Sequence, residues 1–185
     1  TRSNSTLRHA ALDRLRWKDA DLLIGAETVT DVVARAGRTP VYAYDRQALC
    51  ERVADLRRAL PADVHLHYAV KANPMPALVR HMAGQVDGFD VASAGELQLA
   101  LDAAMDPQRI SFAGPGKCCA ELRAAVVAGI TTHVESEREI AELQRLGSEL
   151  HARPRLAVRV NPDFQLKTAG MKMGGGAAQF GIDAE

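Results

Sequence analysis

From Pro40 onward the chain keeps one rhythm: a short β-rich run, a turn, then an amphipathic stretch with apolar residues at helical spacing. The runs begin at Val41 (VYAYD), Val64 (VHLHYAVKA), Gly88 (GFDVAS), Arg109 (RISFAG), Thr131 and Arg155 (RLAVRVNP), with successive starts 21 to 24 residues apart. Strands alternating with helices of this length are parallel strands joined by right-handed crossovers, which leaves a doubly wound open sheet or a (β/α)8 barrel. The even cadence, without a G-x-G-x-x-G turn after the first run, favours an α/β fold of the TIM-barrel type. Six βα starts are visible, whereas a whole barrel takes roughly 250 residues. The 185 residues are therefore expected to hold an incomplete barrel over 38–185, behind a helical lead-in over 1–37.

The helices carry readable start and stop signals. In the lead-in, Leu7, Ala10, Ala11 and Leu15 recur at helical spacing, as do Val29, Val32, Val33 and Ala36 before Gly37. Asp45 is placed to cap a helix with Leu49, Val53, Leu56 and Leu60 on its apolar face, and Pro61 ends it. Ser93 with Glu96, and Ser136 with Glu139, are S-x-x-E capping boxes that open helices directly after strands. Gly84, Gly129 and Gly147 stand where helices should stop or bend.

One strand presents a lysine. In Val64–Val70 alternation puts Val64, Leu66, Tyr68 and Val70 on one face, and His65, His67, Ala69 and then Lys71 on the other. Lys71 is the last residue on its face, just before Asn73-Pro74, a helix cap followed by a proline suited to a first turn. Ligands of α/β proteins gather at the carboxyl ends of strands, so this position suits a reactive amine.

Composition narrows the partners. With 47% hydrophobic and 25% charged residues the chain reads as a soluble globular protein, neither disordered nor membrane-spanning. Lys+Arg and Asp+Glu both number 23, so there is no electrostatic footprint for nucleic acid or an anionic membrane. Cys50, Cys118 and Cys119 lack metal-ligand or disulfide spacing and read as reduced thiols of a cytoplasmic protein. The start at Thr1 has no apolar h-region, and no secretory signal is expected there.

Five blocks then carry a resemblance: Tyr68–Asn73 (YAVKAN), Gly88–Leu97 (GFDVASAGEL), His133–Glu137 (HVESE), Arg159–Pro162 (RVNP) and Phe180–Ile182 (FGI). In order and spacing they resemble the barrel-type, fold-type III, pyridoxal-phosphate-dependent decarboxylases, of the diaminopimelate decarboxylase kind, with ornithine and arginine decarboxylases further off. The stretch Lys172–Gly176 through Asp183 further resembles a branch associated with exosortase and exopolysaccharide systems. The resemblance implies an alanine-racemase-like N-terminal barrel domain and a pyridoxal 5'-phosphate cofactor. It implies that Lys71 forms the internal aldimine, in keeping with the chemistry of an amine at a strand end.

The same resemblance assigns cofactor-site roles to Asp90, Glu96 and Arg159 beside Lys71. Asp90 sits in a strand between apolar residues, where a carboxylate needs a partner. Glu96 is also accounted for by its capping box alone. Arg159 lies on the face of Ala157, opposite Leu156, Val158 and Val160, and there it needs an anion, for which the cofactor's phenolate oxygen or Asp90 would serve. Gly174–Gly176 is not read as a phosphate cradle, because it precedes a loop that opens a helix at Phe180 in the family. Relatives with lysine before Phe-Gly-Ile have Gln179 here. His65 and His67 read as packed or hydrogen-bonded strand residues, and no metal site is expected.

The function implied is decarboxylation of a basic or diamino acid (diaminopimelate, ornithine or arginine type) by a homodimer, with a small-molecule substrate and no nucleic-acid or membrane partner. The family's phosphate loops, its pyridine-nitrogen partner and its β-rich second domain fall outside these residues. A racemase shares the lysine and the barrel, and a non-catalytic pyridoxal-phosphate-binding protein is a third reading.

Overall fold

The computed structural model describes residues 15–162 and 179–184 and divides between Ala62 and Asp63 into two compact units. In the first, β1 (Arg16–Lys18), β2 (Asp21–Ile24) and β3 (Glu27–Thr28) form an antiparallel meander, with Trp17 opposite Leu22 and Leu23 opposite Thr28. Thr28 caps α1 (Val29–Ala36) by accepting the Asp31 N–H at 3.1 Å, and Gly37 closes it in the left-handed conformation. The second lead-in helix is thus present, while the one read from Leu7 falls mostly outside the described residues. The lead-in is not wholly helical as expected, because strands of two to four residues are too short to declare a period of two and depend on one another for pairing.

Asp45 caps α2 (Arg46–Ala59) with one carboxylate oxygen on the Gln47 N–H at 2.8 Å, and its other oxygen accepts the Gly25 N–H at 3.1 Å. The run Val41–Asp45 before it, expected to be the first barrel strand, is not a strand. Among the described residues nothing pairs with it, and Tyr42 is 89% exposed. Apolar alternation alone cannot make a strand without a neighbour to satisfy its backbone. The boundary between units accordingly follows α2 and does not precede the Val41 run.

In the second unit, β4 (His67–Ala69), β5 (Gly88–Val91), β6 (Ile110–Phe112), β7 (Thr131–Val134) and β8 (Arg155–Val158) form one parallel sheet whose spatial order is the chain order. The helices α3 (Pro76–Ala83), α4 (Ala94–Asp102), α5 (Cys119–Ala128) and α6 (Glu137–Glu149) fall between successive strands. A doubly wound sheet reverses its order at a switch point, and this one does not. The sheet is a partial α/β barrel with five parallel strands where six starts were expected. Beyond Arg159, β9 (Val160–Asn161) pairs in parallel with β10 (Ile182–Asp183).

That last pairing corrects the reading of Phe180–Ile182 as a helix-opening loop. Gly181 has φ +79°, and a Cβ there would meet the Arg159 carbonyl at 2.9 Å and the Asn161 nitrogen at 3.0 Å, so the strands approach over a residue that must be glycine. The glycine run 174–176, Met171 and Met173 lie outside the described residues.

Alternation divides the strands into two faces. Phe89, Val91, Ile110, Phe112 and Val134 are buried, and Val134 clusters with Leu122 and Val126 of α5 and Leu143 and Leu146 of α6. Each such side chain contributes about 1.5–3 kcal/mol by leaving water. Ser93 and Ser136 cap α4 and α6 as read, accepting the Glu96 and Glu139 N–H at 3.2 and 3.3 Å. Gly147 is not a stop: it lies within α6, where a Cβ would meet Pro154 Cδ at 2.8 Å, so its absence permits close packing. The opposite face carries Ala69, Asp90, Ser111 and His133.

Candidate functional site

The YAVKAN segment is a shorter strand than its alternation suggests. β4 stops at Ala69, and Val70–Ala72 make a single 3-10 turn closed by the Asn73 N–H on the Val70 carbonyl at 3.1 Å. Val70 is fully buried, and the Tyr68 hydroxyl donates to the Asn73 carbonyl at 3.0 Å. Lys71 sits between these two anchors, so its backbone is fixed while its side chain remains exposed. Asn73 does not cap the next helix: its Oδ1 accepts the Met75 N–H at 3.1 Å, Met75 is the residue before the helix, and α3 begins with Pro76.

Lys71 opens on a cavity of about 690 Å³ that Asp90, Ser111, Lys117, His133, Arg159 and Phe180 also line. This volume is within the range of small-molecule sites. Three of the four residues singled out in the sequence therefore meet, brought together by β4, β5 and the end of β8. Among the described residues the Lys71 amine has no hydrogen-bond or ion-pair partner.

Asp90 accepts a hydrogen bond from the Ser111 hydroxyl and lies 3.3 Å from His67 Nδ1. Its partners are thus its neighbours on the inner face, and His67 is a hydrogen-bonded strand residue as read. Glu96 is not on the cavity lining. Its carboxylate accepts the Ala92 N–H at 2.9 Å, and Ala92 is on that lining.

Arg159 finds its anion in Glu135, not in Asp90. Its Nη1 lies 3.2 and 3.3 Å from the two Glu135 oxygens, and its guanidinium carbon lies 4.7 Å from the centre of the Phe180 ring. Glu135 also accepts the Gly114 N–H at 2.7 Å and the Gly181 N–H at 3.2 Å. Behind it Lys117, 2% exposed, lies 3.2 Å from Glu139, which is 1% exposed. Lys117 donates to the Gly114 carbonyl, and Glu139 accepts the Glu135 N–H at 2.9 Å.

The sequence reading missed Lys117 and Glu135, and took Glu139 only as a helix cap. A signal existed: Lys117 follows the run at Arg109, and Glu135 comes near the end of the run at Thr131, so both stand near strand ends as Lys71 does. Glu121, also on the lining, accepts the Cys118 N–H at 3.0 Å and the Ala94 N–H at 3.1 Å. The Cys118 N–H above all, with the Ala94 N–H adding to it against the effect of burial, holds its carboxyl below the usual range.

A larger carboxyl shift than that of Glu121 lies elsewhere. Glu142 is held at about 2, first by its hydrogen bonds with Arg145 and then by Cys119, on the exposed surface of α5 and α6. Among the described residues no group of three His, Cys, Asp or Glu could hold a metal ion, and no helix is long and apolar enough to cross a membrane.

Residues 46–185 match the family model described as pyridoxal-dependent decarboxylase, pyridoxal binding domain. The chain is 37% identical over 175 residues to diaminopimelate decarboxylase of Aquifex aeolicus, covering 91% of this chain and 40% of that protein. It is 35% identical over 174 residues to the enzyme of that name from Zymomonas mobilis, covering 91% and 41%. The crystal structure of diaminopimelate decarboxylase from Helicobacter pylori complexed with L-lysine superposes with a TM-score of 0.75 at 29% identity, over 83% of this chain and 40% of that one. The chain spans about 40% of the length of the relatives it matches.

Proposed function

The chain belongs to the pyridoxal-dependent decarboxylase family, and from that premise we propose that its protein decarboxylates a basic or diamino acid with pyridoxal 5'-phosphate bound at Lys71. The observation that carries this reading is the convergence of an amine without a partner among the described residues, a carboxylate and a guanidinium on one cavity at the carboxyl ends of parallel strands. That donor set fits the cofactor: an aldehyde needs the amine, and a ring with anionic oxygens needs the cation.

Lys71 supplies the amine that holds the cofactor, and the 3-10 turn fixes where that amine starts from. When bound, the cofactor ring supplies the electron sink for the pair left by departing carbon dioxide. Asp90, steadied by Ser111 and His67, presents a hydrogen-bond acceptor to the cavity. Arg159 presents a permanent cation. Glu96 joins the set through Ala92, whose N–H it holds at the cavity wall.

The names of the relatives support a diamino acid as substrate, and the L-lysine in the Helicobacter pylori structure is of the same chemical class. The same reading takes the protein as a cytoplasmic homodimer. The test is to express the complete reading frame, supply meso-diaminopimelate, lysine, ornithine and arginine in turn, and follow both carbon dioxide and chirality. Gas from at least one of them, abolished by Lys71→Ala, is expected. Loss of optical activity from the L-isomers of lysine, ornithine or arginine, or conversion of meso-diaminopimelate to its LL or DD isomer, without gas would make the protein a racemase.

A further inference from the structure

We infer that Glu135 is a positioning residue that fixes the Arg159 guanidinium against the cavity wall, with the buried Lys117–Glu139 pair holding Glu135 in turn. The inference rests on the cofactor reading above and says which of the chain's own residues prepare its cation.

Glu135 carries its charge with only 7% of its surface exposed, a placement that requires partners for both oxygens. It has them from three directions: the Gly114 N–H after β6, the Gly181 N–H before β10, and Arg159 Nη1 after β8. One carboxylate thereby ties together three segments of the cavity rim. Arg159 spends a single nitrogen on this tie. Among the described residues its Nε and Nη2 have no acceptor, although Arg159 lines the cavity and stacks on Phe180. A guanidinium has five N–H donors in a fixed fork, so clamping one nitrogen sets the direction of the rest.

Lys117 and Glu139 complete the brace. Glu139 receives the Glu135 N–H on one oxygen and faces the Lys117 ammonium with the other, while Lys117 donates to the carbonyl of Gly114, the residue whose N–H meets Glu135. The two buried charges therefore hold the Glu135 backbone on one side and, on the other, the Gly114 loop whose N–H meets the Glu135 carboxylate. Outer partners of this kind hold a site's first-contact groups to their working geometry.

The test is a double-mutant cycle read by absorbance titration with pyridoxal phosphate, on protein from the complete reading frame. Glu135→Gln is expected to weaken cofactor uptake about tenfold, the scale of lost outer contacts. In an Arg159→Ala background the same substitution should change uptake no further, because Glu135 acts through Arg159. Glu135→Asp, which keeps the charge but withdraws it by one methylene, is run alongside and should lose less, again only when Arg159 is present. Equal losses in both backgrounds, or no loss from either variant, would overturn the inference while leaving the cofactor reading intact. Failure of the unmodified protein to take up pyridoxal phosphate would overturn both.

Discussion

The two ends of the cavity are built on opposite plans. At the β4–β5 end Lys71 is exposed and unpaired among the described residues, and the Asp90 side chain, 49% exposed, leans on a serine and a histidine. At the β6–β8 end Lys117, Glu135 and Glu139 are buried, and each is tied to backbone or to an opposite charge. A group that must make and exchange a covalent bond needs a fixed root and a free tip. A group that offers a standing charge needs its direction set, and burial among partners sets it.

The comparison breaks most sharply at the buried pair. Lys117→Met leaves Glu139 charged and without its cation, which should cost about 3–5 kcal/mol in chemical unfolding. Lys117→Met with Glu139→Gln should recover part of that, because no charge is then stranded. At the open end Asp90→Asn removes a half-exposed acceptor's charge and should cost only about 1 kcal/mol. Equal losses at the two ends would remove the distinction drawn between them.

A smaller effect sharpens the same contrast through pH. The Glu121 carboxyl titrates below its ordinary value in the folded chain, so its bonds to the Cys118 and Ala94 N–H stabilise fully above the ordinary value. That contribution is lost as pH falls through the depressed one. Unfolding midpoints followed from neutral pH into the acid range should therefore drop further for the unmodified chain than for Glu121→Gln. Parallel curves would mean that the carboxylate adds nothing.

Much of the open end was legible in the sequence. Lys71 declares itself by alternation and strand-end position, both properties of neighbouring residues, Asp90 is singled out by the family resemblance of its block, and Ser93 and Ser136 declare their helices by local logic. The braced end was not legible, since it depends on pairs such as Lys117 with Glu139 and Glu135 with Arg159, whose members are far apart in sequence and on different elements of the fold. Glu139 shows the difficulty: the sequence places it in the Ser136 capping box, and only the fold brings Lys117 to its other side. Arg159 was found, with the cofactor's phenolate oxygen or Asp90 as the anions offered for it and Glu135 unseen, because periodicity gives the face of a side chain and not its distance along the sheet. The run at Val41 failed for the converse reason, having a strand's pattern but no strand beside it among the described residues.

The central claim is that Lys71 is the amine that holds the cofactor, and borohydride reduction followed by peptide mass mapping tests it most directly. Protein from the complete reading frame, loaded with pyridoxal phosphate and reduced, should carry one pyridoxyl group on the peptide containing Lys71, and none after Lys71→Ala. A pyridoxyl group on Lys117, Lys167 or Lys172 in place of Lys71 would contradict the account.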